Sequence, residues 1–297
     1  MTATSDEEVL VPSVDRDAAR SWITRWDRQQ EDYLPDREDR FTALIDALRA
    51  GVGRPDPLVV DLGCGPGSLG GRLLDRMPAA TVIGVDADPL LLALGRAAHR
   101  GRPGLSFADC DLRVPGWSAS LGLDQPVDAA VSTTALHWLS EAELREMYAE
   151  VAKLLRPGGL LLNGDHFVVD EPRLALLDRG LMEAQRRRLA GCHDGAGGRG
   201  GGSDGDGDGG DVDGPSGGAG GRSRGENWPQ WWAAVAADPE LADLNAERAS
   251  WWAHAARHGA EGGRLAAHVG ALDAAGFSQI GILWQHGENR LLCAFRP

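Results

Sequence analysis

The stretch VVDLGCGPGSLG, residues 59–70, holds the residues of this sequence best suited to chemistry. An apolar strand runs into the acid Asp61, and Gly63, Gly65 and Gly67 follow at alternating positions. A strand that ends in a glycine-rich turn and opens a helix directs backbone N–H groups at a ligand. The stretch therefore predicts a ligand-binding loop, and its glycines also fit the G-x-G-x-x-G dinucleotide pattern.

The residues around the glycines decide between the ligands that such a loop can hold. A phosphate-binding P-loop ends in Gly-Lys-Ser/Thr, whereas this loop ends in Gly70-Gly71-Arg72, which excludes a P-loop. Asp86 stands where a dinucleotide site places its ribose-binding acid. Asp61, however, would repel an anionic pyrophosphate at the lip of the turn. The acid suits a ligand that carries positive charge, and a nicotinamide-dependent oxidoreductase stays open as the alternative.

Apolar strand patterns alternate with helical patterns along the central part of the chain. Strands are predicted at 58–62, 81–85, 105–108, 127–131 and 160–163, and helices at 68–76, at 89–99 and from Ser140 onward. Ser140 and Glu143 form a capping-box signature at the start of that last helix. Such alternation predicts a mostly parallel sheet with helices on both faces.

The chain divides into a core and three helical or terminal additions. An N-terminal helical cap is predicted over 1–55, with its second helix closed by Gly51. The core follows over 56–166, a helical lid over 167–263, and a last helix and hairpin over 264–297. The hairpin pattern predicts Ile280, Ile282 and Trp284 on one face. The tryptophans of 228–252 are read either as the small core of the lid or as the lining of a substrate pocket.

The lid contains a Gly/Asp/Ser-rich tract over 191–226 that cannot bury enough apolar surface to fold, and it is predicted to be a disordered insertion. Asp204, Asp206 and Asp208 begin like a calcium-binding loop, but Pro215 stands where that loop needs its bidentate glutamate. The cysteines are scattered without a C-x-x-C pair. No metal site is therefore expected.

Composition excludes several classes of protein. The net charge of −14 argues against a surface that neutralises duplex phosphates. The acidic start, MTATSDEEVLVPSVD, has no apolar leader segment, and no run of about 18 apolar residues occurs. A cytoplasmic protein that binds neither nucleic acid nor membrane is expected, and the sequence is silent on its oligomeric state.

In chain order, five segments resemble the motifs of class I S-adenosylmethionine-dependent methyltransferases. D-x-G-x-G-x-G resembles the first motif, VIGVDADP the second, FADCDLRVPGW the segment after strand three, VDAAVSTTALHWL the fourth motif, and LLRPGGLLL the turn before strand five. The resemblance covers roughly residues 20–166 and 264–297. ALHWL and YLPDREDRF are most similar to small-molecule enzymes of the trans-aconitate methyltransferase type. The branch that methylates nucleic-acid amines carries a Pro-Pro motif where this chain has Ser132-Thr133-Thr134-Ala135.

The resemblance implies a Rossmann-like, seven-stranded, mostly parallel sheet that ends in an antiparallel hairpin, with S-adenosylmethionine as cofactor. Asp86 would hold the ribose hydroxyls, and Asp111 with the Leu112 N–H would hold the adenine, with Asp109 as the alternative acid. The residues implied to bind the cofactor are Asp61, Gly63, Cys64, Gly65, Gly67, Asp86, Ala87, Asp111, Leu112 and Ser132. Both cysteines of these motifs, Cys64 and Cys110, are expected to be chemically inert.

Methyl transfer from a sulfonium is an in-line displacement, so the protein mainly supplies alignment and, where needed, a base. His137 and His166 are the candidate bases, and each is alternatively a histidine bonded within its loop. Tyr33, Arg37 and Trp138 are candidate contacts of a small-molecule methyl acceptor. Arg37 would hold a carboxylate, or would instead form a surface ion pair. A non-catalytic S-adenosylmethionine-binding module is the remaining alternative.

Overall fold

The computed structural model describes residues 14–34, 36–194, 226–255 and 263–297. The helices are α1 (Arg16–Tyr33), α2 (Arg37–Val52), α3 (Ser68–Arg76), α4 (Pro89–Ala98), α5 (Glu141–Leu154), α6 (Pro172–Asp194), α7 (Trp228–Ala237), α8 (Ala242–Ala255) and α9 (Leu265–Ala274). The strands are β1 (Leu58–Leu62), β2 (Thr81–Asp86), β3 (Leu105–Asp109), β4 (Val127–Thr133), β5 (Leu155–His166), β6 (Ser278–His286) and β7 (Asn289–Phe295).

All seven strands belong to one sheet with the order β3-β2-β1-β4-β5-β7-β6. Strands β1 to β5 pair in parallel, and β7 runs antiparallel to both of its neighbours, β5 and β6. The strand order reverses between β1 and β4, and an open sheet of this kind binds ligands at that switch point. The predicted fold class is confirmed.

The sheet is covered on both faces, as the strand and helix alternation predicted. One apolar cluster packs α5 and α9 on one face through residues such as Met147, Tyr148 and Leu272. The opposite cluster packs α2 and α3 through residues such as Phe41, Leu44 and Leu73. The glycine turn and the loops after β2, β3, β4 and β5 therefore emerge together at one edge of a rigid layer.

Capping residues set the boundaries of the helices, and two of them illustrate how. The capping box at Ser140 is present, with reciprocal bonds to Glu143. Helix α2 continues past the predicted stop at Gly51 and ends at Gly53, whose φ of 66° is left-handed. That conformation is the usual end of a helix, and a glycine adopts it without strain.

The predicted face of the terminal hairpin is wrong for one residue. Ile282 lies opposite Leu292, whereas Trp284 lies opposite Leu291, so the register shifts at Leu283. This bulge places one extra residue in β6 and turns the following side chains to the other face. Ile280 and Ile282 consequently pack on the α5–α9 side, and Trp284 packs on the α2–α3 side.

Helix α6 reaches Asp194, so the range 191–226 predicted as a disordered insertion includes the last residues of a helix. Residues 195–225 of that range, with the partial calcium-loop match, lie outside the described residues. None of the helices in the described ranges is long and apolar enough to cross a membrane.

Tryptophans join the lid to the N-terminal cap. Trp231 of α7 is fully buried, and its ring meets Trp22 and Trp26 of α1 edge-on at centroid distances of 5.6 and 5.0 Å. Its indole N–H donates to the Trp22 carbonyl oxygen at 3.3 Å. This cluster, with Val235, Leu241 and Leu244, packs α7 and α8 against α1 and α4.

Replacing Trp231 with alanine is expected to lower the free energy of unfolding by about 3–5 kcal/mol, because it leaves a large cavity between lid and cap. Urea unfolding followed by circular dichroism measures this. Trp228→Ala is the matched control, since that ring is 38% exposed, and its expected cost is below about 1 kcal/mol. Equal losses in both variants would contradict the packing described.

Candidate active site

The glycine turn after β1 adopts a backbone that other residues resist. Gly63, Gly65 and Gly67 have φ values of 68°, 53° and 84°. A Cβ at Gly63 would lie 2.3 Å from the Cβ of Ala135, which follows β4. The turn therefore brings its backbone against the β4 loop, and a side chain at Gly63 would push the two apart.

Asp61 is a buried carboxylate at the end of β1, and no hydrogen bond of normal geometry within the described ranges offsets the cost of its burial. It is 1% exposed, and neither of its oxygens makes a hydrogen bond of normal geometry to the described residues. Burial and the nearby charge of Asp86 raise the pKa of Asp61 to about 7, and the Gly70 N–H offsets only part of that rise. A cation or a hydrogen-bond donor beside Asp61 would relieve both penalties.

Asp86 ties the end of β2 to the glycine turn. Its Oδ2 accepts from the Gly65 N–H at 2.7 Å, and its Oδ1 accepts from the N–H groups of Ala87 and Asp88 at 2.8 and 2.9 Å. Burial nevertheless raises the pKa of Asp86 to about 6. The Oδ2 keeps a free lone pair, so this acid can hold the turn and still accept from a ligand.

Just after β3, the carboxylate of Asp111 forms an ion pair with Arg113. The Arg113 Nε lies 2.8 Å from Asp111 Oδ1, and the Nη2 lies 2.5 Å from Oδ2. Arg113 lowers the pKa of Asp111 against the opposing effect of partial burial. Leu112 is buried against the core, whereas Asp109 is exposed. The assignment of Asp111 to the adenine therefore stays a prediction.

Three other residues that were predicted to bind the cofactor lie around the glycine turn. Cys64 is buried, with its Sγ 3.4 Å from the Gly65 carbonyl oxygen, and burial raises its thiol pKa well above the usual range. Ala87 is half-buried beside Asp86. The Ser132 hydroxyl donates to the Leu62 carbonyl oxygen at 2.7 Å, so it joins β4 to β1.

The loop after β4 and the end of β5 form a histidine–aspartate pair. His137 Nδ1 lies 2.8 Å from Asp165 Oδ1, and the His137 N–H donates to Oδ2 at 3.3 Å. Asp165 is fully buried, while 25% of the His137 side chain is exposed. Burial alone would lower the His137 pKa, but the Asp165 carboxylate outweighs it and raises the pKa. Asp165 thus orients the ring and leaves Nε2 for another partner.

The other predicted base, His166, occupies a different position. Its backbone N–H donates to Asp165 Oδ1 at 2.8 Å, and the residue pairs with Asn289 across the sheet. The described contacts bring His137 and Asp165 together as a side-chain pair and leave His166 as a strand residue. Catalysis by His166 remains a prediction.

A buried arginine from the N-terminal cap reaches this pair. Arg40 of α2 is fully buried and donates to Asn289 Oδ1, Thr133 Oγ1 and Thr134 Oγ1 at 2.8, 2.8 and 2.5 Å. Burial lowers its pKa to about 10, so the group stays cationic at neutral pH. Despite burial, the charges of His137 and Arg40 hold the Asp165 pKa far below its usual range.

Arg40 also stabilises a strained residue. Thr134 has a φ of 55°, which is rare for a β-branched residue. Besides the bond to Arg40, its N–H donates to the Gly164 carbonyl oxygen at 2.9 Å. The strained turn carries the chain from β4 into the short helix Leu136–Trp138, which presents His137.

The N-terminal candidates lie apart from this pair. Arg37 is buried and paired with two acids, with its Nη2 3.0 Å from Asp27 Oδ1, its Nη1 3.7 Å from Glu38 Oε1 and its guanidinium above the Phe41 ring. Asp27 also accepts from the Ser68 hydroxyl at 2.6 Å, so this network ties the cap to the start of α3. Tyr33 ends α1, and its side chain lies outside the described residues.

Trp138 stands beside His137 under the lid. Its ring is 53% exposed and lies 5.2 Å from the His137 ring and 5.7 Å from the Trp252 ring of α8. The preceding turn of α8 carries Arg248, whose Nε lies 2.7 Å from Asp88 Oδ2. Helix α8 therefore contacts both the segment after β2 and the His137 loop. It covers the carboxyl edge of the sheet between them and is called the α8 roof below.

Sequence reasoning did not assign Arg40, Thr134 or the role of Asp165. The second arginine of DREDRF was a visible signal, since a basic residue recurs one helical turn after Arg37. Asp165 was visible as an acid at the end of a buried strand. The left-handed Thr134 had no sequence signal.

The strand order and the reversed β7 define a Rossmann-like α/β fold, in which a glycine turn lies between the buried Asp61 and the half-buried Asp86. Residues 59–159 match the family model described as "Methyltransferase domain". Over this range the chain is similar to methyltransferase domains.

The chain is also similar to curated proteins and solved structures that are named as methyltransferases. The chain is 34% identical over 152 residues to "Trans-aconitate 2-methyltransferase" of Azoarcus sp. (strain BH72), which covers 51% of this chain and 55% of the relative. It is 34% identical over 155 residues to the protein of the same name from Methylobacterium nodulans, covering 52% and 55%. The matched region spans about half the length of these relatives. Magnesium protoporphyrin IX methyltransferase from Synechocystis PCC 6803, solved with bound SAH, is 17% identical with a TM-score of 0.49, covering 95% of this chain and 98% of that one.

Replacing Asp165 with asparagine is expected to lower the pKa of His137, because the carboxylate that stabilises the imidazolium is removed. An NMR titration of labelled histidine measures this pKa. Asp170→Asn removes an acid that instead pairs with Arg264 at 2.8 Å and serves as the control. An unchanged His137 pKa in Asp165→Asn would show that the pair is not coupled.

Proposed function

We propose that this protein transfers a methyl group from S-adenosylmethionine to a small molecule. The observation that carries the proposal is Asp61, a buried acid without a hydrogen-bond partner beside a turn of left-handed glycines. S-adenosylmethionine carries an ammonium and a sulfonium and no phosphate, so its charge suits this acid. A pyrophosphate would add a third negative group next to Asp61 and Asp86, which supports the methyl donor over a nicotinamide dinucleotide.

The residues that would hold the cofactor follow from the same geometry. Asp61 would accept from the ammonium, directly or through water, and the glycine turn would admit the methionine end. Asp86, with one lone pair of Oδ2 to spare, would accept from the ribose hydroxyls. Asp111 and the Leu112 N–H would contact the adenine. The bound cofactor supplies an activated methyl group, and the chain's own residues align the acceptor and exclude water.

We further propose that His137 contacts the methyl acceptor. Because His137 Nδ1 is hydrogen-bonded to Asp165, Nε2 is the ring nitrogen that would face a ligand. The Ala135 Cβ lies against Gly63, which places the His137 loop beside the turn for the donor. Exposed Trp138 and the α8 roof would supply an apolar wall for the acceptor. In this arrangement His137 is a general base that accepts a proton from a hydroxyl or amine as the methyl group arrives.

A carboxylate acceptor is the second candidate. The curated relatives are named for trans-aconitate, and the Arg40 Nε and the Asn289 Nδ2 are buried donors without a hydrogen-bond partner in the described parts of the chain. A carboxylate needs no base, because it is already the nucleophile. His137 would then act as an imidazolium that donates to the acceptor, and its raised pKa favours that form.

A small-molecule acceptor is proposed over a nucleic acid for two reasons. The net charge of −14 disfavours a phosphate backbone, and Ser132-Thr133-Thr134-Ala135 lacks the Pro-Pro motif of enzymes that methylate nucleic-acid amines. A module that binds the donor without catalysis would show donor affinity and no methyl transfer to any acceptor.

Binding of S-adenosylmethionine near pH 7 is expected to release protons. The Asp61 carboxyl is partly protonated in the free protein, with a pKa of about 7, and a bound ammonium lowers that pKa. Calorimetric titrations in two buffers of different ionisation enthalpy measure the release. Asp61→Asn is expected to lose it and to bind at least about tenfold more weakly. Equal heats in both buffers, or wild-type affinity in the variant, would contradict the assignment.

The pH dependence of turnover distinguishes the two acceptor classes. With a base, transfer rises as pH rises through the His137 pKa, because the neutral imidazole is the active form. With a carboxylate, transfer falls over the same range, because the imidazolium is the active form. Radiolabelled methyl transfer, tested with trans-aconitate and with cell extracts, measures both. His137→Gln should flatten either profile, and an unchanged profile would remove His137 from the site.

A further inference from the structure

A cavity lies outside the residues assigned above, between α1 and the end of α4. It has a volume of about 530 Å³. Its lining carries the cationic side chains of Arg16, Arg20 and Arg102 together with His99, and no acid is among the described residues that line it. Over the whole chain, 44 acidic residues outnumber 30 basic ones. The cavity is therefore a positively charged site on a chain whose net charge is negative.

The arginines of this cavity are only partly neutralised. Within the described ranges no ion pair involves Arg16. Arg20 lies 3.8 Å from Asp17, and the two side chains are 56% and 90% exposed, so this pair is weak. Arg102 is better held, with its Nη2 at 2.7 Å from both Asp75 Oδ1 and the Gly71 carbonyl oxygen. Two guanidinium groups on successive turns of α1 thus retain unused donors.

His99 adds an unpartnered nitrogen to the wall. Its Nε2 is buried and has no hydrogen-bond partner among the described residues. Cβ atoms placed on Gly71 and Gly67 would lie 3.3 and 3.5 Å from the ring, so the imidazole is fixed against α3. Burial, followed by the charges of Arg102 and Arg20, lowers the His99 pKa against the weaker influence of Asp75 and Asp27. A nearby anion would neutralise those charges and accept from the imidazole.

We propose that this cavity binds a small molecule that carries several negative charges, in the form of phosphate or carboxylate groups. Guanidinium groups bind both kinds of anion through paired N–H donors. Arg16 and Arg20 would supply those donors from one side, and His99 from the other. Ile23 and Ala98 give the same cavity an apolar wall that suits a carbon skeleton.

Calorimetric titration of the full chain with pyrophosphate, and separately with citrate, tests the proposal without the methyl donor present. Saturable binding of at least one probe is expected. Arg16→Gln combined with Arg20→Gln should weaken it at least about tenfold. Arg173→Gln combined with Arg187→Gln makes the same change of charge on α6 and should leave the affinity within about twofold. Preference for one probe identifies the phosphate or the carboxylate class.

Absence of saturable heat with both probes would overturn the proposal. Equal weakening in the α6 control would also overturn it, because the binding would then follow net charge alone. His99→Gln leaves the net charge at neutral pH nearly unchanged and is expected to weaken binding as well. It keeps the test decisive if the double arginine variant fails to fold, which circular dichroism would reveal.

Discussion

The repulsion of the buried Asp61 by the half-buried Asp86 is the constraint around which the candidate site is organised. Asp61 and Asp86 end neighbouring parallel strands, and burial raises the pKa of both. The Gly65 N–H binds one of them, which requires the turn to fold back with left-handed glycines. That fold in turn presses Gly63 against the His137 loop. The free protein thus stores electrostatic strain where a cationic ligand can release it.

The sequence predicts the glycine-turn half of the candidate site far better than the half around His137. Strand β1, the glycine turn and α3 follow from residues that are close in sequence, and their bounds were predicted within a residue. Arg40 and Asn289 meet across 249 positions, and no local pattern announces such a contact. Similarly, the bulge at Leu283 changes the side of Trp284 through strand pairing alone. Long-range pairing decided these features, so local periodicity missed them.

The tryptophans of the lid serve two structural purposes. Trp231 fills the core between lid and cap, where it meets Trp22 and Trp26. Trp252 instead reaches the half-exposed Trp138 beside His137. Trp231 is thus a core residue, whereas a pocket lining stays a prediction for the other rings.

Arg40 has a consequence for the order in which the site is assembled. A Cβ on Gly164 would lie 2.8 Å from the Arg40 Cδ, so the arginine crosses β5 where a side chain is missing. During synthesis Arg40 emerges before Asp165, and the buried acid has its counter-charge available from the start. Asn289 emerges much later, with the β6–β7 hairpin. The histidine–aspartate pair therefore reaches its final electrostatic environment when β7 joins the sheet.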